Sequence, residues 1–445
     1  MGTAEAIEEG YPRVTIALIV INVVVYMVAS FRNFFMSVGD YWVETGSYVP
    51  LLLLEDPVNA YRMLTAMFLH GDILHIFFNM YFLYVFGKSV ENALGSMRFA
   101  ILYFMSGLLA SIFHTAFSYI QGPSALMIPA IGASGAISGV LGAYLLLYPG
   151  TSLSACWFFF IFPVCFTIRA AYWLIFWFAT QVIYGYARLG TAIAFFAHAG
   201  GYVTGIALLP LVVNRERLDM LRLWSRFRPL FNVIFSGLRD HEGLGKYAKA
   251  LMAALITSLI AGSMVVAVVV GQLSIFIAGV EGRVSNVGTI SDVVVFSLSN
   301  GDLDTQSITN TYLRILINRL AGLDILMNTS ASNKVIYLSN VELQSRLKVV
   351  GKLIDVPTYI YNMKLTYGLD GILTSAEGRF KTFIVRISDT SYSLSDEVTY
   401  EFNMTVLGHY DASRMITSAS MASLTTSLIA LAVVLFKDKD LAIIS

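Results

Sequence analysis

"IGASGAISGVLGAY" (131–144) sits between strongly apolar stretches, yet it is built from Gly, Ala and Ser rather than from Leu, Ile, Val and Phe. A helix facing lipid has no use for small residues. A helix packed closely against other helices does, because each missing side chain lets two backbones approach. The stretch therefore predicts a helix in the interior of a bundle. It also raises a chemical question, since Ser134 carries a hydroxyl near the start of that helix.

Composition sets the surroundings. Of the 445 residues, 57% are hydrophobic and only 13% are charged. A soluble domain carries roughly 25% charged residues, so the chain reads as a multi-span membrane protein. The formal net charge is zero, which gives no support to a nucleic-acid partner. The two cysteines, Cys156 and Cys165, both lie in apolar sequence and argue for no disulfide framework. The first apolar run follows an acidic "AEAIEEG" and has no clear cleavage motif, so it reads as a retained span.

About 20 apolar residues cross a bilayer as a helix. Runs of that kind lie at 14–30, 66–86, 99–118, 130–148, 170–187, 192–213, 250–270 and 414–436. The segment "ACWFFFIFPVCF" (155–166) is interrupted by Pro163 and closed by Arg169, and as a helix it would reach only about 20 Å. It reads as a buried or interfacial loop, which leaves eight spans.

Orientation follows the basic residues in the short loops. Residues 214–249 carry eight Lys and Arg, alternating with apolar positions, and read as a cytoplasmic amphipathic linker on the membrane face. The loop 87–98, with Lys88 and Arg98, falls on the same side, so both termini are expected in the cytoplasm of a cell-membrane protein. The domains follow: a six-span bundle (1–213), the linker (214–249), a span (250–270), an extracytoplasmic region (271–413), a last span (414–436) and a cytoplasmic tail (437–445). The region 271–413 has the two-residue period of half-buried strands in "KTFIVRIS" (381–388) and "VTYEFNMTV" (398–406), and one helical stretch, "TYLRILINRLAGL" (311–323). It is expected to be mainly β. The sequons at Asn328 and Asn403 are compatible with an outside location.

On this topology His70, His75, Asn79, Ser134 and His198 all fall within about two helical turns of the outer surface, on the order of 10 Å deep. Polar and ionisable groups at that depth are costly and mark function by default. His114 has no partner motif and reads as structural. Gly135 and Gly139 follow the serine; Gly201 and Gly205 follow His198. Were the two helices to pack through these faces, the hydroxyl and the imidazole would meet, and a serine beside a neutral imidazole is an activated nucleophile. His75, Asn79 and the Ser134 backbone N–H are candidate donors to an oxyanion.

These motifs resemble the rhomboid family of intramembrane serine proteases over about residues 12–213. "IGASGAISGVLGAYLLLYP" resembles the family's G-x-S-G helix, with Gly132 and Ser134, and "AHAGGYVTG" (197–205) its histidine helix. "HGDILHIFFN" (70–79) resembles the H-x-x-x-x-H-x-x-x-N segment, and "GKSVENALG" carries G-x-x-x-E-x-x-x-G as Gly87, Glu91 and Gly95. Arg62 sits where the family's Trp-Arg pair ends.

The resemblance implies a six-helix rhomboid-like bundle. It implies Ser134 as nucleophile and His198 as general base with no third acidic member, and His75 and Asn79 at the oxyanion. His70, Arg62, Glu91 and the glycines are implied as structural support. The implied reaction is peptide hydrolysis in transmembrane or juxtamembrane segments of other membrane proteins, with neither metal nor cofactor.

Two departures stand out. Tyr61 replaces the Trp before Arg62, and Ser138 stands where some relatives place a Tyr that stacks on the histidine, so another contact must orient His198. The extension 250–436 matches nothing in the core family; recruitment of a protein partner by its outer region is one role, passive structure the other. A catalytically dead rhomboid-like binding protein is disfavoured because Ser134 and His198 are both present. A transporter would show broken or repeated helices, and a metalloprotease would need H-E-x-x-H, which is absent.

Overall fold

The chain's first long apolar run folds as expected, into α1 (Arg13–Ser30), because nothing in it can hydrogen-bond outside a helix once lipid replaces water. The computed structural model describes residues 11–159, 162–188, 193–227, 243–271, 273–299, 302–305, 308–349, 352–387 and 392–443. The middle of the expected amphipathic linker, 228–242, lies outside them. After α1 come three short helices, α2 (Asp40–Gly46), α3 (Pro50–Glu55) and α4 (Arg62–Thr65), in the connection to the second span.

The second long helix, α5 (Ile73–Leu94), differs from the sequence reading at both ends. It starts at the Asp72 cap, whose carboxylate accepts from the His75 N–H at 2.9 Å. It then runs through 87–94, the first part of the expected loop 87–98, and so carries Lys88 and Glu91 within the helix. Those charges are tolerated because Glu91 is satisfied internally: it accepts from the backbone N–H groups of Val14 and Thr15, at 2.9 and 2.8 Å, and from the Thr15 and Ser96 hydroxyls. The loop shrinks to Gly95, at φ +82°, before α6 (Ser96–Gln121).

The Gly-rich stretch is also shorter as a helix than its apolar length implied. Gly132 adopts φ +121°, a left-handed conformation that a following helix cannot extend back through, so α7 is Ser134–Leu147. Its 14 residues rise only about 21 Å. The segment 155–166, expected as a buried or interfacial loop, instead belongs to a hairpin of β1 (Ser152–Phe159) and β2 (Phe162–Arg169) in antiparallel register. Too short to span as a helix, this apolar run still has to pair its backbone polar groups, and a hairpin does so where an irregular loop would not. Pro163 fits because each strand of a two-stranded ribbon has a free edge.

The bundle continues with α8 (Ala170–Tyr186) and α9 (Phe195–Val212), then α10 (Arg215–Phe227) in the expected amphipathic segment. Helices α11 (Lys246–Val269), α13 (Ser413–Phe436) and the short α14 (Asp438–Leu441) belong to the same unit. Among the described residues six helices are long and apolar enough to cross a membrane, with α7 as a shorter apolar helix. This is a multi-pass membrane protein.

The second unit covers Val270–Arg414 together with Gly122–Ser124. Its seven antiparallel strands are β3 (Leu273–Val284), β4 (Gly288–Ser299), β5 (Asp302–Asp304), β6 (Val335–Val349), β7 (Lys352–Tyr367), β8 (Leu373–Ile387) and β9 (Tyr392–Asp411). They are ordered β5-β4-β3-β9-β8-β7-β6. The helix expected at 311–323 is α12 (Thr311–Gly322), which packs on the sheet through Leu313, Leu316, Ile317 and Leu320. Asn310 caps it, accepting from the N–H groups of Tyr312 and Leu313.

Candidate active site

Helices α7 and α9 meet backbone to backbone. A methyl group on Gly201 would overlap the carbonyl of Gly135, one on Gly205 the carbonyl of Gly139, and one on Gly142 the carbonyl of Tyr202. Only glycine permits this approach, and it carries side chains at the start of α7 directly onto those at the start of α9. Ser134 is the first residue of α7 and His198 lies in the first turn of α9. Ser134 Oγ and His198 Nε2 are 2.7 Å apart.

The far side of the imidazole decides which atom donates. His198 Nδ1 lies 2.8 Å from Gln181 Oε1 on α8. An amide oxygen only accepts, and the amide orientation is fixed because Gln181 Nε2 donates to Thr180 Oγ1 at 3.1 Å. The Nδ1 atom therefore carries the proton, Nε2 presents a lone pair, and the Ser134 hydroxyl donates to it. The Trp177 ring lies 6.1 Å from the imidazole, tilted by 32°. Ser138, one turn beyond the serine, does not reach the histidine; its hydroxyl donates to the Ser134 carbonyl at 2.6 Å.

The approach to the serine is built by the strand-like segment before α7. Tyr48 and Ala130 exchange two backbone hydrogen bonds, and Gly132 N–H donates to the Ala66 carbonyl at 2.9 Å. Ala133 N–H points to His70 Nε2 at 3.4 Å. Gly132 is the open wall of the site: a Cβ there would lie 2.8 Å from His75 Nε2 and 3.6 Å from Ser134 Oγ. His75 Nδ1 accepts from the Gly71 N–H at 3.3 Å, so in the neutral ring the proton sits on Nε2, on the side of Gly132 and Ser134. Asn79 does not join them directly. Its Nδ2 donates to the His75 carbonyl at 2.8 Å, along its own helix.

The remaining residues singled out in the sequence serve elsewhere. Arg62 clips the first connection together, donating to the carbonyls of Glu44 and Ser47 and to Asn59, with its guanidinium 5.5 Å from the Tyr61 ring. Glu91 binds the N-terminus of α1, four turns along α5 from His75. His114 is buried in α6, with neither ring nitrogen hydrogen-bonded among the described residues. No group of His, Cys, Asp and Glu among the described residues is placed to hold a metal ion. Sequence reading missed Gln181 and Trp177. The available signal was one amide in an otherwise apolar helix, "AAYWLIFWFATQVIYGY".

Residues 57–215 match the Rhomboid domain. This stretch of the chain is a Rhomboid domain. It is 32% identical over 168 residues to RHOMBOID-like protein 6, mitochondrial, of Arabidopsis thaliana, covering 38% of this chain and 47% of that protein. It is 31% identical over 146 residues to Rhomboid protease GluP of Bacillus subtilis, covering 32% and 26% of the two chains. Inactive rhomboid protein 1 of Drosophila melanogaster is 31% identical over 101 residues, covering 22% of this chain and 6% of that protein. The match thus spans about half the length, or less, of each of these relatives. The rhomboid bundle of this chain is followed by the α11, β-sheet and α13 extension.

Proposed function

We propose that the protein is an intramembrane serine endopeptidase that cleaves transmembrane or juxtamembrane segments of other membrane proteins. The observation that carries this reading is the directed chain of hydrogen bonds from the Ser134 hydroxyl to His198 Nε2, with the Nδ1 proton held on the far side. As a substrate carbonyl carbon is attacked, the Ser134 Oγ–H proton passes to Nε2 and the Oγ–C bond forms. The carbonyl oxygen becomes an oxyanion, for which His75 Nε2–H and the Ser134 backbone N–H are the donors. Asn79 contributes once its amide turns from the His75 carbonyl. The imidazolium then protonates the leaving amine, and a water activated by the same imidazole hydrolyses the acyl-enzyme.

Both termini in the cytoplasm, a site just below the opposite face, and a β unit outside the membrane belong to this reading, as does the cell membrane as its location. The basic α10 segment supports the orientation. Kinship to a relative named inactive favours a second reading, a binding protein without activity. Against it stands the retained Ser134–His198 contact. Ser134→Ala distinguishes the two: with purified protein in liposomes and a model single-span substrate, the variant loses cleavage. Equal cleavage by the variant, or no cleavage by either protein, refutes the protease reading.

A further inference from the structure

We infer that Gln181 is a positioning residue that completes a Ser134–His198–Gln181 relay, doing with a neutral amide what a carboxylate does elsewhere. The kinetic consequence rests on the protease reading; the tautomeric consequence does not. His198 Nδ1 has one hydrogen-bond partner among the described residues, Gln181 Oε1 at 2.8 Å. The amide cannot turn over without loss, because its Nε2 is engaged by Thr180 Oγ1 at 3.1 Å and is 3.5 Å from the Trp177 carbonyl. Gln181 is itself buried, with 7% of its surface exposed. Side by side on α8, Trp177 and Gln181 hold the ring: the indole lies 6.1 Å from it and the amide oxygen receives its proton. Trp177 is backed by Tyr202 at 6.0 Å, which ties the clamp to α9 itself.

This supplies the orientation that Ser138 cannot give. It also fits the surroundings. A carboxylate in this bundle would need to be stripped of water before His198 becomes charged, which is costly when no cation is yet present. An amide oxygen stays neutral throughout, fixes the proton on Nδ1, and offers the end of a dipole to the imidazolium when it forms. The device is a hydrogen bond from α8 to α9 that selects the tautomer in which Nε2 can accept from Ser134.

The alternative is that Gln181 merely fills space between α8 and α9. Two variants separate these. Gln181→Met keeps length and volume and removes the acceptor; Gln181→Glu keeps an acceptor at the same place. For Gln181→Met in liposomes we expect kcat to fall about 10- to 100-fold, the loss appropriate to one oriented hydrogen bond. KM stays within about twofold, and the melting temperature falls because the buried His198 Nδ1–H is left without its acceptor. Gln181→Glu restores most of kcat. Wild-type turnover by Gln181→Met overturns the proposal, and so does an equal loss in both variants when both are folded.

A second readout does not need activity. In the Ser134→Ala background, 15N spectra assigned by loss of one signal in His198→Gln report His198 as the Nδ1–H tautomer, and Gln181→Met mixes the tautomers. An Nε2–H ring in the protein with Gln181 intact refutes the relay, even if Gln181→Met does not fold. Ser134→Ala that still cleaves would sink the protease reading while leaving this tautomer result standing.

Discussion

Replacing Gly201 by Ala tests the geometry on which the site depends. The added methyl group falls on the carbonyl and Cα of Gly135, which are backbone atoms with no rotamer to change. Relief therefore requires α7 and α9 to part, by on the order of 1 Å before carbon and oxygen reach ordinary contact. Gly135 adjoins Ser134, and Gly201 lies three residues from His198 on the same helical face. The displacement passes almost whole to the reacting pair. A contact of 2.7 Å then opens beyond hydrogen-bond reach. A misplacement of this size costs about 100-fold in rate, and overpacking about 1–3 kcal/mol in stability. The assay is cleavage of a single-span substrate in liposomes, with thermal unfolding measured on the same preparations. Gly245→Ala is the control, since its Cβ would meet no heavy atom within 4 Å. Cleavage by Gly201→Ala at the wild-type rate would refute the claim that glycine contact sets the Ser134–His198 distance.

Two further outcomes follow from groups away from the site. Glu91→Ala leaves two N–H groups of α1, one buried and one partly buried, and two hydroxyls without their acceptor, and should lower bundle stability by on the order of 2–4 kcal/mol. Glu91→Gln, which keeps one strong acceptor, should recover part of it; thermal unfolding in detergent measures both, and an unshifted melt for Glu91→Ala would contradict the account. In the β unit, His409 lies 4.8 Å from the Phe276 ring and its Nε2 is buried without a partner among the described residues. Burial holds its pKa below the ordinary imidazole value, outweighing the pull of Asp370 and Asp411. The unfolded chain thus takes up a proton near pH 6.5 before the folded one does, so the unit loses stability as pH falls through that value. Hydrogen exchange in β3 and β9 of the full chain, corrected for intrinsic rate, should quicken between pH 7 and 5, and His409→Phe should abolish the change; protection that is flat with pH in the wild type would count against it.

Much of this was legible in the chain because polar groups are rare enough in it to be conspicuous. A serine in a Gly-Ala helix and a histidine ahead of two spaced glycines announce a close helix pair, and the structure brings those helices into backbone contact. Residues 87–94 misled for the opposite reason. Lys88 and Arg98 read as the charges of a short loop, and only the folded N-terminus of α1, 76 residues earlier than Glu91, shows that the carboxylate between them has partners inside. The true start of α7 was hidden in one torsion, the positive φ of Gly132. The hairpin 152–169 was hidden because an apolar run of this length fits a strand pair and a buried loop equally well until its backbone bonds are counted.

Gln181 shows where sequence reading ends. One amide in an apolar helix has many uses, and its partner lies 17 positions away on a helix whose rotation no spacing rule specifies. Once the rotation is known, the amide accounts for how so polar a site sits within an apolar bundle. The Ser134 hydroxyl donates to His198, His198 donates to Gln181, and Gln181 donates to Thr180, whose hydroxyl in turn donates to the Trp177 carbonyl at 2.6 Å. Each donor meets an acceptor, and the run ends on a backbone carbonyl rather than on a charge. A polar chain satisfied link by link adds little to the cost of burial. Every link is a neutral group, so the Nδ1–H tautomer of His198 is held without a buried ion to stabilise.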